Sequence, residues 1–182
     1  SEVPTYGINT GFGKLSDVSI NKKDLSKLQE NLIKSHACGV GDAFNEETVR
    51  GMLLLRINAL IKGYSGIRLE VIEKMVGFLN KDAIPVVYSK GSLGASGDLA
   101  PLSHMALPLI GLGEIQVKGK VYSAQEGLKI ADIKPIKALS AKEGLSLING
   151  TQAMTAVGVL ALLEAETLLE LSKFNLAITL EA

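Results

Sequence analysis

The 182-residue sequence is poor in the residues on which several protein classes depend. It has no tryptophan, one cysteine (Cys38) and two histidines (His36 and His104). A single cysteine excludes an internal disulfide framework and favours a reducing compartment, so we expect a cytoplasmic protein. The sequence contains neither HExxH nor CxxC, and we therefore expect no metal site.

The sequence also lacks a charge of one dominant sign. Nineteen basic residues balance nineteen acidic ones. This balance gives no electrostatic reason to expect a nucleic acid or an acidic membrane as a partner. Residues 1–13 contain no basic run followed by an apolar core, so they do not resemble a signal peptide.

Long hydrophobic runs are also missing. The most apolar stretch, Ala153 to Leu163, is followed too soon by charged residues to form a membrane span of about 20 residues. We expect it to form a buried helix. Hydrophobic residues nevertheless make up 47% of the chain, which favours a folded globular protein over a disordered one.

Helical spacing of apolar residues dominates what is present. It predicts a first helix capped by Asn21, a second that begins at Asn45 and stops at Gly63, and a third over residues 69–79. The last helical pattern runs to Ala182 without a glycine or proline stop. We therefore expect the chain to end inside a helix.

One segment has β character. Residues 114–122 alternate between apolar and polar residues around a Lys118-Gly119 turn, which predicts a small hairpin. Ser123 with Glu126, and Ser140 with Glu143, match the capping box that begins helices. The sequence therefore predicts a mainly α fold with a small β-hairpin.

Residues 91–113 hold five glycines and one charged residue, Asp98. The simplest interpretation is a tight, buried turn that leads into a helix, with Asp98 near its start and Pro108 near its end. A phosphate-binding loop would place lysine at position 98, and a serine-hydrolase elbow would place glycine there. A Ser96/His104/Asp98 triad would need a fold-back that nothing in the sequence suggests.

A second interpretation gives residues 95–97 a chemical role. In a compressed turn the nitrogen of Gly97, unhindered by a Cβ, could attack the carbonyl carbon of Ala95 and close a five-membered ring. Loss of water from the ring and from the Ser96 side chain would leave an exocyclic methylidene, which is an electrophile. Asp98 and the following helix start could polarise this site.

Three segments resemble the aromatic amino acid ammonia-lyases, in the order that this family shows. Residues 91–104 (GSLGASGDLAPLSH) resemble the signature from which the family forms 4-methylideneimidazol-5-one (MIO). Residues 6–13 (YGINTGFG) resemble its tyrosine loop, and residues 147–151 (LINGT) its asparagine motif. The resemblance implies the helical ammonia-lyase fold of the fumarase/aspartase-like superfamily. It also implies MIO, formed from Ala95-Ser96-Gly97, as the cofactor, without a metal or a nucleotide.

The resemblance also implies roles for individual residues. The methylidene derived from Ser96 would be the electrophile, Tyr6 the general base, and Asn149 the residue that orients the substrate or the ring. His36 would contact the substrate, and Asp98 would support ring formation. By residue type alone, Tyr6 would be a packing residue, Asn149 a turn residue and His36 a helix-end cap.

Residues 31–41 (NLIKSHACGVG) resemble the histidine-selecting version of the family's specificity segment. Phenylalanine lyases tend to carry Phe-Leu, and tyrosine lyases His-Leu, in place of Ser35-His36. The expected reaction is therefore conversion of L-histidine to urocanate and ammonia, the first step of histidine degradation. His104 and Cys38 match no role in the family, and we expect them to be packing residues.

Two alternatives stay open. The first is a phenylalanine or tyrosine ammonia-lyase, or an aminomutase that re-adds ammonia at the β-carbon. The second is a non-catalytic helical assembly module that keeps residues 95–97 only as a packed turn.

The resemblance further implies that residues 1–182 are the amino-terminal, MIO-bearing portion of a longer lyase. Family members have a central helical bundle that supplies more site residues, and they assemble as homotetramers whose active sites combine several chains. We therefore expect the last helix to be truncated and the 182-residue chain alone to be inactive.

Overall fold

The computed structural model describes residues 3–94 and 97–182. These residues form seven α-helices and five short strands. The helices are α1 (Leu25–His36), α2 (Glu46–Leu60), α3 (Leu69–Asn80), α4 (Leu99–Ala106), α5 (Ala124–Ile130), α6 (Glu143–Ile148) and α7 (Gln152–Glu181). The strands are β1 (Val40–Ala43), β2 (Ala83–Pro85), β3 (Tyr88–Lys90), β4 (Glu114–Val117) and β5 (Lys120–Ser123).

The strands form two antiparallel sheets on either side of the β2–β3 connection. β1 pairs with β3, and β2, β4 and β5 form a three-stranded sheet in that order. The β4–β5 hairpin is the predicted one, and its turn residues Lys118 and Gly119 have φ of 50° and 78°. Positive φ at both positions matches the turn type whose twist suits a two-residue hairpin. The mainly α fold with this hairpin is confirmed.

The hydrophobic core is one cluster in which α2, α3, α4 and α5 pack on the three-stranded sheet and α1 and α6 pack against α4. α6 packs against both α1 and α4, and α2 packs against α3 and α7. The largest fully buried core side chains include Ile33, Met52, Leu53, Met75, Phe78, Leu102, Met105, Leu109, Ile115 and Leu147. This core positions α4, which begins just after residues 95–97, and α6, which ends just before Asn149.

The second predicted helix follows its local signals. The side chain of Asn45 accepts a hydrogen bond from the Thr48 amide at 2.9 Å, as a helix cap does. Gly63 follows the helix with φ of 82°, a left-handed conformation that favours glycine. The predicted cap and stop of α2 are both confirmed.

Other local predictions were wrong. Asn21 makes no side-chain cap: a short 3-10 turn intervenes, and α1 begins only at Leu25. The Ser140–Glu143 box forms only in part. Glu143 accepts the Ser140 amide at 2.6 Å, but its carboxylate also binds Arg68, and α6 starts from Lys142 in a left-handed conformation. The buried Glu143 carboxylate thus pairs with the partly exposed Arg68 in addition to its local bond.

The prediction that Ala153 to Leu163 is buried was also wrong. Within α7 only Ala153 and Ala156 are buried, with Ala156 against Gly51 of α2. Apart from the half-buried Leu160, the remaining large apolar side chains of α7 are exposed, because no other described element covers them. Among residues 3–94 and 97–182, no helix has the length and apolar character needed to cross a membrane.

Candidate active site

Two of the predicted site residues, Ala95 and Ser96, lie outside the described residues. The site is therefore built from the segments that flank them and from the elements that pack on those segments. Gly94, with φ of 77° and open space around it, precedes the pair. Gly97 follows it.

Gly97 lies directly against the asparagine motif. Its φ is 100°, and a Cβ at this position would lie 2.7 Å from both the backbone nitrogen and the backbone oxygen of Gly150. The same Cβ would lie 3.1 Å from Oδ1 of Asn149. Only glycine fits both this conformation and this space. The end of the predicted ring segment and the asparagine motif, 52 residues apart in sequence, are thus in contact.

Asp98 stabilises this contact through hydrogen bonds. Its amide donates a hydrogen bond to the Gly150 carbonyl at 2.6 Å. Its buried carboxylate, 1% exposed, accepts bonds from Ser92 Oγ at 3.0 Å and from the Met154 amide at 2.8 Å. Asp98 precedes α4 but makes no side-chain cap to it. It satisfies an amide in the first turn of α7 instead, where a negative charge is favourable.

Arg56 of α2, which the sequence analysis did not single out, also binds the asparagine turn. Its Nη2 donates to the carbonyls of Ser146 and of Asn149, the latter at 3.1 Å, and its Nη1 donates to Gln152 Oε1 at 2.9 Å. Burial lowers the pKa of the Arg56 guanidinium to about 10, so the side chain stays charged at neutral pH.

The tyrosine loop packs on the same helix that ends at the asparagine. Gly7 has φ of 73°, and a Cβ there would lie 2.9 Å from Cδ2 of Leu145 in α6. The Tyr6 ring makes an edge contact with Phe12, with ring centroids 6.0 Å apart, and 53% of Tyr6 is exposed. The fold thus brings the loop to the site region and leaves the Tyr6 side chain largely open to solvent.

His36 ends α1, and its ring is anchored to its own helix. Its Nδ1 lies 2.9 Å from the Leu32 carbonyl and 3.1 Å from Ser35 Oγ. Because a carbonyl can only accept, the Leu32 contact favours the tautomer with the proton on Nδ1. In that tautomer Nε2 is the acceptor of the neutral imidazole.

The segment after His36 reaches the glycine-rich loop through His104. The Gly39 amide donates to His104 Nε2 at 2.9 Å, and the Cα of Gly39 is 3.0 Å from where a Cβ on Gly91 would lie. His104 also makes an edge contact with Tyr88. Burial lowers the pKa of His104, and the Glu114 carboxylate opposes that shift. His104 thus has a structural role, in which it accepts a hydrogen bond from residues 31–41.

The residues present fit a ring formed at 95–97 better than they fit a metal. The space around Gly97 is too small for a Cβ, so the backbone packs closely there, as ring closure at residues 95–97 would need. Among the described residues, no three histidine, cysteine, aspartate or glutamate side chains are grouped closely enough to hold a metal ion. A cavity of about 710 Å³ between the start of α2 and α7 is lined by none of the predicted site residues.

The fold therefore brings these four sequence segments into contact in pairs. It places Gly97 and Asp98 on Asn149 and Gly150 directly, the tyrosine loop on α6, and the specificity segment on the glycine-rich loop. The sequence reasoning missed Arg56. The available signal was a basic residue inside the apolar face of α2, between Leu53 and Ile57.

Comparison with known protein families gives one match along the whole chain. Residues 1–182 match the family model described as aromatic amino acid lyase. The histidine ammonia-lyase of Bacillus subtilis (strain 168) is 59% identical over 180 residues, which are 99% of this chain and 35% of that protein. The chain thus spans about a third of the length of the curated relatives it matches.

Solved structures show the same fold. The histidine ammonia-lyase of Trypanosoma cruzi superposes with a TM-score of 0.79 at 43% identity, over 88% of this chain and 30% of that one. The phenylalanine aminomutase of Pantoea agglomerans superposes with a TM-score of 0.86 at 38% identity, over 92% of this chain and 32% of that one.

Proposed function

The chain belongs to the aromatic amino acid lyase family, and from this premise we propose that it is the amino-terminal, cofactor-forming part of a histidine ammonia-lyase. The whole protein would convert L-histidine to urocanate and ammonia. The observation that carries the proposal is the contact of Gly97 with Asn149 and Gly150, because it brings two of the segments that resemble the family's motifs together.

Ring formation at residues 95–97 needs no reagent from outside the chain. The Gly97 nitrogen bonds to the carbonyl carbon of Ala95, and that oxygen leaves as water with the hydrogens of the two amides. The Ser96 Oγ then leaves as a second water with the Ser96 α-hydrogen. The resulting MIO supplies an electrophile that activates the amino acid for loss of ammonia.

The other site residues would bind the substrate and move its proton. Elimination must remove a weakly acidic β-hydrogen, for which Tyr6 is the proposed base. Asn149, whose side chain faces Gly97, would orient the substrate or the ring. With the proton on Nδ1, Nε2 of His36 would accept a hydrogen bond from an N–H of the substrate imidazole.

The rest of the whole protein would supply further residues to the site. We propose that residues 1–182 are its MIO-bearing portion and that it assembles as a homotetramer with shared active sites. The exposure of Tyr6 and of the α7 apolar face supports this, since both surfaces lack a cover from this chain.

A second candidate keeps the same site and changes the substrate or the outcome. The superposition on a phenylalanine aminomutase favours it, because a fold this similar serves a different reaction in that protein. The 59% identity to a histidine ammonia-lyase, against 38% to the aminomutase, supports histidine as the first choice.

The test is to supply the full-length protein with L-histidine, L-phenylalanine and L-tyrosine separately and to follow ammonia and the conjugated product. We expect urocanate from histidine, none from the 182-residue chain alone, and a loss of at least a hundredfold in kcat for Ser96→Ala, about 2.7 kcal/mol in the barrier. Activity on tyrosine or phenylalanine but not histidine would refute the substrate. Unchanged activity in Ser96→Ala would favour an assembly module.

A further inference from the structure

Arg56 is a buried cation that the proposed reaction does not use. The residue is 5% exposed, and no carboxylate of the described residues lies within ion-pairing distance of it. Burying a charge without a counter-charge is costly unless other polar groups compensate it. An arginine in the core-facing side of α2 therefore needs a reason beyond packing.

The compensation comes from the turn that carries Asn149. α6 ends at Ile148, so its last carbonyls have no partner within the helix. Arg56 donates to two carbonyls of this region, those of Ser146 and Asn149, and to the side chain of Gln152. Its Nε is buried and has no hydrogen-bond partner among the described residues. The guanidinium thus binds the turn although one of its own donors is left without an acceptor.

The backbone of Gly150 is held between Arg56 and Gly97. A Cβ on Gly150 would collide with Nη1 of Arg56 and with Oε1 of Gln152. A Cβ on Gly97 would in turn collide with the backbone nitrogen and oxygen of Gly150. Gly150 therefore packs closely against both Arg56 and Gly97, and a shift of the guanidinium would reach Gly97 through it.

We propose that Arg56 is a positioning residue for cofactor formation, holding the Asn149-Gly150 turn against Gly97, whose nitrogen would close the ring. The inference rests on the proposed function. Arg56 touches neither the substrate nor the reacting atoms, and it acts through Gly150. Its removal should slow the loss of two waters from residues 95–97 in a protein that is still folded.

The experiment compares Arg56→Gln with the wild type in the full-length protein by intact-mass spectrometry of the soluble fraction over time after synthesis. We expect dehydration to be at least tenfold slower in Arg56→Gln, with a partial recovery in Arg56→Lys, which keeps the charge. The matched control is Arg50→Gln in the same helix, because Arg50 pairs with Glu46 and Asp82 on the surface and does not approach the turn. The control should dehydrate at the wild-type rate.

A second variant covers the case in which Arg56→Gln does not fold. Gln152→Ala removes one acceptor of Arg56 from a half-buried position at the start of α7 and leaves the cation in place. We expect dehydration two- to fivefold slower than in the wild type. A wild-type rate of dehydration in soluble Arg56→Gln would overturn the role of Arg56 alone. If Arg56→Gln is insoluble, a wild-type rate of dehydration in Gln152→Ala would overturn it. A wild-type protein that never loses the two waters would overturn the proposed function as well.

Discussion

At the scale of single residues, the site depends on glycines that differ in what surrounds them. Gly94 and Gly97 flank the predicted ring segment and both have positive φ. A side chain at position 94 meets open space, whereas one at position 97 meets the backbone of Gly150. The same substitution at the two positions therefore separates backbone strain from steric collision.

We expect Gly94→Ala to lower the free energy of unfolding by about 1 kcal/mol, because the only penalty is that of an alanine in the left-handed conformation. Gly97→Ala adds the collision with Gly150, and we expect it to cost about 3 kcal/mol or more and to abolish dehydration of residues 95–97. The measurements are the apparent unfolding temperature and the intact mass of the two full-length variants. Equal effects of the two substitutions would contradict the close packing at Gly97.

Individual site residues could be predicted from sequence only where a motif carried them. Gly97, Asp98 and Asn149 stand in segments that resemble a known signature, and the structure places them together. Arg56 stands in no such segment, and a basic residue within a helical pattern ordinarily lies on the solvated face. Its burial depends on carbonyls about 90 residues away, which local spacing does not reveal.

At the scale of elements, α4 links the glycine-rich loop to the specificity segment through His104. Neutral His104 accepts the Gly39 amide on Nε2, and protonation would replace this acceptor with a donor. Because burial lowers its pKa in the folded protein, the unfolded chain binds a proton first as pH falls below about 6.5. Stability is thus fully present above that pH and is lost as pH falls towards the lower folded value.

We therefore expect the apparent unfolding temperature of the wild type to fall as the pH falls below about 6.5, and to fall less steeply in His104→Gln. Glutamine does not titrate, and its side-chain oxygen can accept the Gly39 amide. The difference between the two full-length proteins isolates this residue from other histidines. Parallel pH curves would show that His104 does not couple protonation to the fold.

Elements with strong local signals were predictable, and those made by long-range pairing were not. α2 and the β4–β5 hairpin carry caps, stops and turn residues in their own sequence. β1, β2 and β3 have only three or four residues each, and β1 pairs with β3, which lies some 45 residues further along the chain. Without a turn signal such as the Lys118-Gly119 pair between β4 and β5, alternation over so few positions does not identify a strand.

At the scale of the whole molecule, α7 is the element that this chain leaves uncovered. Over its 30 residues only Ala153 and Ala156 are buried, and large apolar side chains such as Leu162, Leu169 and Phe174 are more than half exposed. Periodicity predicted the helix correctly, but it could not predict what covers it. Under the proposed function the remaining two thirds of the protein, and its partner subunits, provide that cover.

Intact-mass spectrometry of the purified full-length protein tests the proposed MIO-bearing site most directly. The wild type should be lighter than its sequence by two waters. Ser96→Ala should not show this loss, because alanine has no Oγ to leave as the second water. A wild-type mass equal to that of the unmodified sequence would contradict the formation of MIO at Ala95-Ser96-Gly97.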